Sequence, residues 1–308
     1  METVLFSFSK PTGYQAHAKI ARYLSDLYDL PCLFGEEIAD YTPDLLLLVA
    51  GAFAFCNVLP AVAVAVERAK RIVWCQNDYT VVPPAPWSNA QSPFRAAFRR
   101  RHELGRAPID YWTTIRDNAS ATPRSAYVNW NLLAWGPPNA TTPGRRQRTL
   151  LYYGAYRVGR VPYFDRYFLH PVVHTVISGK NQRFSRYNHE AEWVSPFEDL
   201  NAALRQHGLG LYLEDKASHT HFHSPSTRFY EMLGAGLPMV FQPEAEKMMR
   251  EYGYDIHEYV IHEPAKDLPR MMRARDIIAR RQQDGWVNDY PKILKIQVRA
   301  AQKRLELP

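Results

Sequence analysis

The chain has 308 residues, of which 46% are hydrophobic and 22% charged, and its formal charge is +7. That much apolar material supports two ordinary domains and excludes a disordered chain, while the basic balance favours a polyanionic partner, either nucleic acid or an anionic membrane surface. No apolar run approaches the ~20 residues of a membrane helix, so no membrane insertion is expected, and three cysteines without metal spacing fit a reducing compartment.

Met1-Glu-Thr-Val-Leu-Phe6 leads straight into a first strand, Thr3 to Phe8, with none of the patterning of a secretory leader, so a cytoplasmic location is expected. Lys10 to His17 then form a turn into an amphipathic helix that runs to about Tyr28. Gly13 in that turn permits close backbone approach, and Thr12, Gly13, Tyr14 and His17 make one candidate wall of a binding site. Leu45 to Ala50 reads as a buried strand, Pro60 to Lys70 as a helix and Arg71 to Gln76 as another buried strand. Ile109 to Thr114 and Tyr127 to Leu132 are further strand candidates. Strands that alternate with helices predict a parallel sheet with right-handed crossovers.

Gln76, Asn77 and Asp78 stand at the carboxyl end of an apolar strand, where ligands of α/β sheets bind. Asp78 is the first candidate for a base or for a contact to an acceptor hydroxyl, since a positioned carboxylate takes up such a proton. The plain alternative is a turn-forming Asn-Asp pair. His17 is a second catalytic candidate, although a lone histidine on a helix is more often structural. The stretch from Val81 to Pro108 breaks the rhythm with Pro83, Pro84, Pro86 and Pro93, then a short basic helix carrying Phe94, Phe98, Arg95, Arg99, Arg100 and Arg101. An excursion of this length within an α/β domain is usually functional or mobile.

Gly136 to Gly144 is a breaker-rich linker, and a second set of alternating elements follows it. Strands are expected at Thr149 to Tyr153, Val172 to Ser178, Leu209 to Leu213, Leu237 to Phe241 and Tyr259 to Ile261, and a basic helix within Trp286 to Leu307. The expected organisation is a domain over 1–138, a second over 149–285, and a closing helix over 286–308 that packs back on the first.

Ser224-Pro-Ser-Thr-Arg-Phe-Tyr-Glu-Met-Leu-Gly-Ala-Gly-Leu-Pro-Met-Val240 is the most informative segment. Ser224 or Ser226 suits a helix cap, Gly234 and Gly236 suit its end, and Pro238 blocks continuation before a short buried strand. A helix N-terminus offers N–H groups and positive partial charge to a diphosphate. Glu231, between one and two turns in, is placed for sugar hydroxyls. An ordinary βα junction would read similarly.

The run of Ser226, Arg228, Glu231, Leu233, Gly236, Pro238 and Val240 resembles the donor-nucleotide motif of glycosyltransferases with the GT-B architecture. The resemblance implies an α/β fold of two Rossmann-like domains facing across a cleft, the first for the acceptor and the second for a nucleotide diphosphate sugar, with a UDP-sugar as the first candidate. It implies donor binding by Gly154, Arg157, Arg160, Lys180, His223, Ser226, Thr227, Arg228 and Glu231, with the cations on the diphosphate. Each cation has the alternative of a solvated loop residue. Many retaining members have a second glutamate seven residues before the first; here His223 stands there, which leaves the stereochemistry open. The family needs no metal for donor binding, and the alternating His219, His221 and His223 have no carboxylate or cysteine at metal spacing.

The short chain, the basic excursion and Gln76-Asn-Asp-Tyr79 before prolines resemble phage-encoded glycosyltransferases that modify hydroxymethylpyrimidines in DNA. That resemblance implies DNA as a partner, with Gln76, Asn77, Arg95, Arg99, Arg100 and Arg101 as acceptor contacts. Phe94, Phe98, Trp87 or Trp112 would pack on an extruded base. The alternatives are a glycan, lipid or small-molecule acceptor for the same chemistry, or a non-catalytic nucleic-acid-binding protein.

Overall fold

A computed structural model of the chain describes residues 2–8, 16–50, 60–76, 93–114, 124–134, 147–170, 172–178, 182–187, 200–216, 219, 224–286 and 290–307. The chain divides into two compact units, one of Met1–Leu133 with Pro291–Pro308 and one of Ala134–Tyr290.

Among the described residues the first unit contains six strands, β1 (Thr3–Ser7), β2 (Cys32–Phe34), β3 (Leu45–Val49), β4 (Arg71–Gln76), β5 (Asp110–Thr113) and β6 (Ser125–Tyr127). They form one sheet in the order β2-β1-β3-β4-β5-β6, with every pairing parallel. Leu45, Leu46, Leu47, Leu48 and Val49 are all essentially inaccessible, so β3 is covered on both faces, as an unbroken apolar run in a parallel sheet requires. Helix α1 (Ala16–Tyr28) buries Ala18, Ile20, Ala21 and Leu24, which share one face at helical spacing. It ends at Asp29, whose φ of 52° allows the Leu30 amide to reach back to the Ser25 carbonyl at 3.1 Å.

Tyr127 to Leu132 does not form the expected strand. β6 closes at Tyr127, and Trp130–Ala134 is a 3-10 helix whose Trp130 indole donates to the Trp112 carbonyl at 3.2 Å. Cys75 is buried and Cys32 half-buried, both as free thiols, and Cys56 lies outside the described residues.

Helices α2 (Pro60–Arg68) and α3 (Pro93–Glu103) also belong to this unit, and Arg101 joins them. Its guanidinium is 3% exposed and donates to the carbonyls of Val66 at 2.9 Å and Ala107 at 2.8 Å, and also to Ala69. The side chain thus closes the end of α2, where carbonyls lack intrahelical partners. This corrects the expectation that Arg101 contacts an acceptor: the side chain is spent inside the unit. Arg101→Ala is expected to cost about 2–3 kcal/mol, because charged hydrogen bonds vanish and buried carbonyls are left unsatisfied. A lower urea midpoint with an unchanged m-value checks this, and an unchanged midpoint would refute it.

The C-terminal helix is part of the first unit. Its Gln297 accepts from the Asn129 amide at 2.9 Å, and its Gln302 donates to the Tyr28 hydroxyl at 2.9 Å. Arg71 donates to the Glu306 carbonyl at 3.1 Å while its Nε holds the buried Asp110 at 2.8 Å, so β4, β5 and the chain end share one ion pair.

The second unit contains β7 (Thr149–Tyr153), β8 (His174–Ser178), β9 (Leu209–Tyr212) and β10 (Met239–Phe241), in the parallel order β10-β9-β7-β8. Its helices are α4 (Val161–Phe168), α5 (Leu200–Arg205), α6 (Thr227–Gly234), α7 (Glu246–Glu251) and α8 (Pro264–Trp286); the C-terminal helix is α9 (Tyr290–Arg304). The second sheet starts in the middle, moves one way to β8 and then the other way to β9 and β10. The first sheet does the same with β1, β2, β3 and β4. Both therefore have a topological switch point, between β1 and β3 and between β7 and β9, where α/β sheets bind ligands at the strands' carboxyl ends.

The expected fifth strand at Tyr259 to Ile261 reduces to one parallel bridge between Phe241 and Val260, with Tyr259 closing a 3-10 turn. Beside it, Gln282 from α8 pairs both polar groups of Met239, accepting from its amide and donating to its carbonyl at 2.8 Å each. That contact satisfies backbone groups that a neighbouring strand would otherwise pair.

Candidate functional site

The site grows from three features of the second unit: the ends of β7 and β9 and the start of α6. Helix α6 stops as its glycines require. Gly236 has a φ of 67°, its amide bonds to the Leu233 carbonyl, and the Leu237 amide to that of Met232, both at 2.9 Å. Close packing on β9 depends on Gly210, where a Cβ would lie 2.6 Å from Met232 Sδ. Ser226 occupies the cap position, but its side chain makes no cap bond; its amide donates instead to the buried Tyr212 hydroxyl at 2.9 Å.

Arg228, in the first turn of α6, lies across the switch point. Its guanidinium donates to the Tyr153 carbonyl at 3.0 Å and the Leu213 carbonyl at 3.2 Å, joining the ends of β7 and β9. It also pairs with Glu214. Glu214 in turn binds Arg160 at 2.5 Å, and Arg160 donates to the Tyr152 hydroxyl at 3.1 Å. Glu214 is 1% and Arg160 4% exposed. Burial alone would raise the Glu214 carboxyl, but the charges of Arg228 and Arg160 outweigh it and hold the group below its ordinary value. The Glu214 amide donates to Gln242 at 2.8 Å, which ties the acid to the end of β10.

Gly154 follows β7 with a φ of 146°, and a Cβ there would lie 2.7 Å from Arg228 Nη1. Only glycine leaves room for the guanidinium at this turn. One turn further along α6, Glu231 accepts from the Tyr153 hydroxyl at 2.8 Å. Arg157 is half-exposed with its guanidinium 3.6 Å from Asp215, so it is the cation of this group most open to solvent.

Gly154, Arg157, Arg160, Ser226, Thr227, Arg228 and Glu231 thus belong to one end of one sheet. Their roles divide. Arg160 is corrected from an expected diphosphate contact to a frame residue, because its charge is buried against Glu214. Arg228 shares that frame, and Arg157 and Glu231 are better placed for a ligand. Lys180 and His223 lie outside the described residues. Glu214, Asp215 and Tyr153 escaped the sequence reading. The pair Glu214-Asp215 directly follows the buried run Leu209 to Leu213, the same signal that drew attention to Asp78.

In the first unit, His17 is half-buried in the first turn of α1. Arg99 is exposed on α3, and Arg100 is exposed beside Glu103 at 3.4 Å and Glu67 at 3.9 Å. Trp112 is fully buried, its ring 5.9 Å from that of Trp130. This corrects its candidacy as a stacking platform: β5 is an inner strand, and the indole is core. Thr12, Gly13, Tyr14, Asn77 and Asp78 lie outside the described residues, as do the side chains of Gln76, Arg95, Phe94 and Phe98 and the whole of Trp87. Among the described residues no group of three His, Cys, Asp or Glu side chains could hold a metal, and no helix is long and apolar enough to cross a membrane.

No family model matches the chain. No curated protein matches it either. Solved structures do. A T4 phage BGT mutant in complex with UDP-glucose aligns over 100% of both chains, at 12% identity and a TM-score of 0.65. An alpha-glucosyltransferase in complex with UDP and a 13-mer DNA containing a central A:G mismatch aligns over 100% of this chain and 95% of its own, at 11% identity and a TM-score of 0.51. Over its whole length the chain therefore has the GT-B glycosyltransferase fold that these two structures share.

Proposed function

We propose that the protein is a glycosyltransferase that moves a sugar from a nucleotide diphosphate sugar, such as UDP-glucose, to a hydroxyl of 5-hydroxymethylpyrimidine in DNA. The observation that carries this reading is the placement of Arg228 and Glu231 on one short helix at the switch point of the second sheet, within a fold whose solved examples hold UDP or UDP-glucose. The helix start and Arg157 receive the diphosphate, with Arg228 and Lys180 adding positive charge, and Glu231 holds hydroxyls of the donor's sugar or ribose. Asp78 takes the proton from the acceptor hydroxyl while its oxygen attacks the anomeric carbon. The bond from that carbon to the diphosphate oxygen breaks, and the cations stabilise the departing charge. No metal is required in this scheme, and the reaction takes place in the cytoplasm of a host cell.

The DNA acceptor draws support from the exposed Arg99 and Arg100 on α3 and from the DNA in one of the two matched structures. Phosphate contacts release counterions, so Arg99→Ala with Arg100→Ala is expected to weaken DNA binding and to lower its salt slope by about one per lost contact. Fluorescence anisotropy across a salt series measures both. An unchanged slope would remove α3 from the DNA surface, while calorimetric titration with UDP-glucose tests the donor half separately. Absence of heat with UDP-glucose and every other nucleotide sugar would contradict the transferase itself.

A further inference from the structure

Tyr153 holds both functional side chains of α6. Its carbonyl accepts from Arg228 Nη1 at 3.0 Å, and its hydroxyl donates to Glu231 Oε2 at 2.8 Å, with a longer contact of 3.4 Å to the Arg228 carbonyl. The two bonds come from opposite ends of one residue at the last position of β7. Alternation along the strand explains the division of labour between neighbours: the Tyr152 ring packs with Phe164 and Phe168 at 5.3 and 5.7 Å, and Tyr153 turns to α6. A free glutamate at a helix start would sample several rotamers and pay for their loss on binding. Here one carboxylate oxygen is already engaged, and among the described residues Oε1 has no hydrogen-bond partner. Burial first, and then the Glu231 charge, hold the Tyr153 phenol well above its ordinary value, so the hydroxyl stays a donor at any working pH.

We infer that Tyr153 is a positioning residue for the donor site: it fixes the Glu231 carboxylate so that its other oxygen meets a hydroxyl of the nucleotide sugar. The inference rests on the donor-binding reading of Glu231 above. It assigns Tyr153 no contact with the donor.

Tyr153→Phe keeps the ring and deletes only the hydroxyl. The test titrates UDP-glucose, without acceptor, into the parent protein, Tyr153→Phe, Glu231→Gln and the double variant. Expected is a loss of about tenfold for each single variant, with the double variant no weaker than Glu231→Gln, because the hydroxyl acts only through the carboxylate. In turnover with acceptor, the Tyr153→Phe defect falls on KM rather than kcat. If Glu231→Gln weakens binding while Tyr153→Phe stays within twofold of the parent, the positioning role is overturned and the donor reading stands. If the two losses multiply in the double variant, Tyr153 acts independently of Glu231 and the inference is equally overturned. If neither variant changes the affinity, the donor reading of Glu231 falls and the inference falls with it.

Discussion

Replacing Glu214 with alanine is expected to destabilise the second unit by about 3 kcal/mol, the lower end of the cost of breaking a buried ion pair. The reason is the number of groups that depend on one carboxylate. Arg160 and Arg228 both pair with it, and Arg160 is 4% exposed, so the substitution leaves two guanidinium charges facing the interior. The cost stays at the lower end because each keeps other acceptors, Tyr152 for Arg160 and the Tyr153 and Leu213 carbonyls for Arg228. Urea unfolding of the intact chain measures the loss. Its pH dependence is also specified. Folding depresses the Glu214 carboxyl, so its stabilisation is complete above the ordinary glutamate value of about 4.3 and fades as pH falls through the lower folded value. The difference between parent and variant should therefore narrow below about pH 4. A difference under 1 kcal/mol near neutral pH, or one that grows on acidification, would contradict the role given to Glu214.

Glu231→Ala is expected to lower kcat/KM for sugar transfer by about 100-fold, as follows from losing charged hydrogen bonds worth ~3 kcal/mol. The chain should remain folded, because Glu231 is only partly buried and the Tyr153 hydroxyl that it accepts from also lies 3.4 Å from the Arg228 carbonyl. DNA affinity should stay within twofold of the parent, since the acceptor contacts are assigned to the first unit. The same variant separates the transferase from a plain nucleic-acid-binding protein. A binding protein would show no nucleotide-sugar response to lose. Steady-state kinetics with salt-matched DNA binding decides the matter, and equal transfer by both proteins would dismiss Glu231 from the site.

The inner strands of the two sheets were legible because parallel sheets covered on both faces bury unbroken apolar runs, whereas the short edge strand β2 was not anticipated and β6 lies ahead of the expected Tyr127 to Leu132. Leu45 to Ala50 and Leu150 to Tyr153 need no tertiary knowledge to recognise. The helix stop at Gly236 was equally legible, since few residues other than glycine accept its backbone angle. Arg101 and Trp112 were misread for one reason. A sequence shows that an arginine belongs to a basic cluster or that an indole is large, but not whether tertiary packing has claimed it. Arg101 differs from its neighbours Arg99 and Arg100 only in the side of α3 that it occupies. Arg160 and Glu214 form a pair across 54 positions of chain, so their partnership emerges only once β7 and β9 are adjacent. Tyr153 was hidden because a tyrosine that ends a buried strand looks like core, and only the arrival of α6 gives its hydroxyl a carboxylate to hold.

The most direct test incubates the protein with a panel of nucleotide sugars and DNA containing 5-hydroxymethylcytosine or 5-hydroxymethyluracil, then digests the DNA and weighs its nucleosides. Transfer to the modified base predicts a nucleoside heavier by one sugar with one donor, absent from unmodified DNA and from the Glu231→Ala reaction. Unaltered nucleosides with every donor, from protein that is folded and binds the DNA, would contradict sugar transfer to DNA.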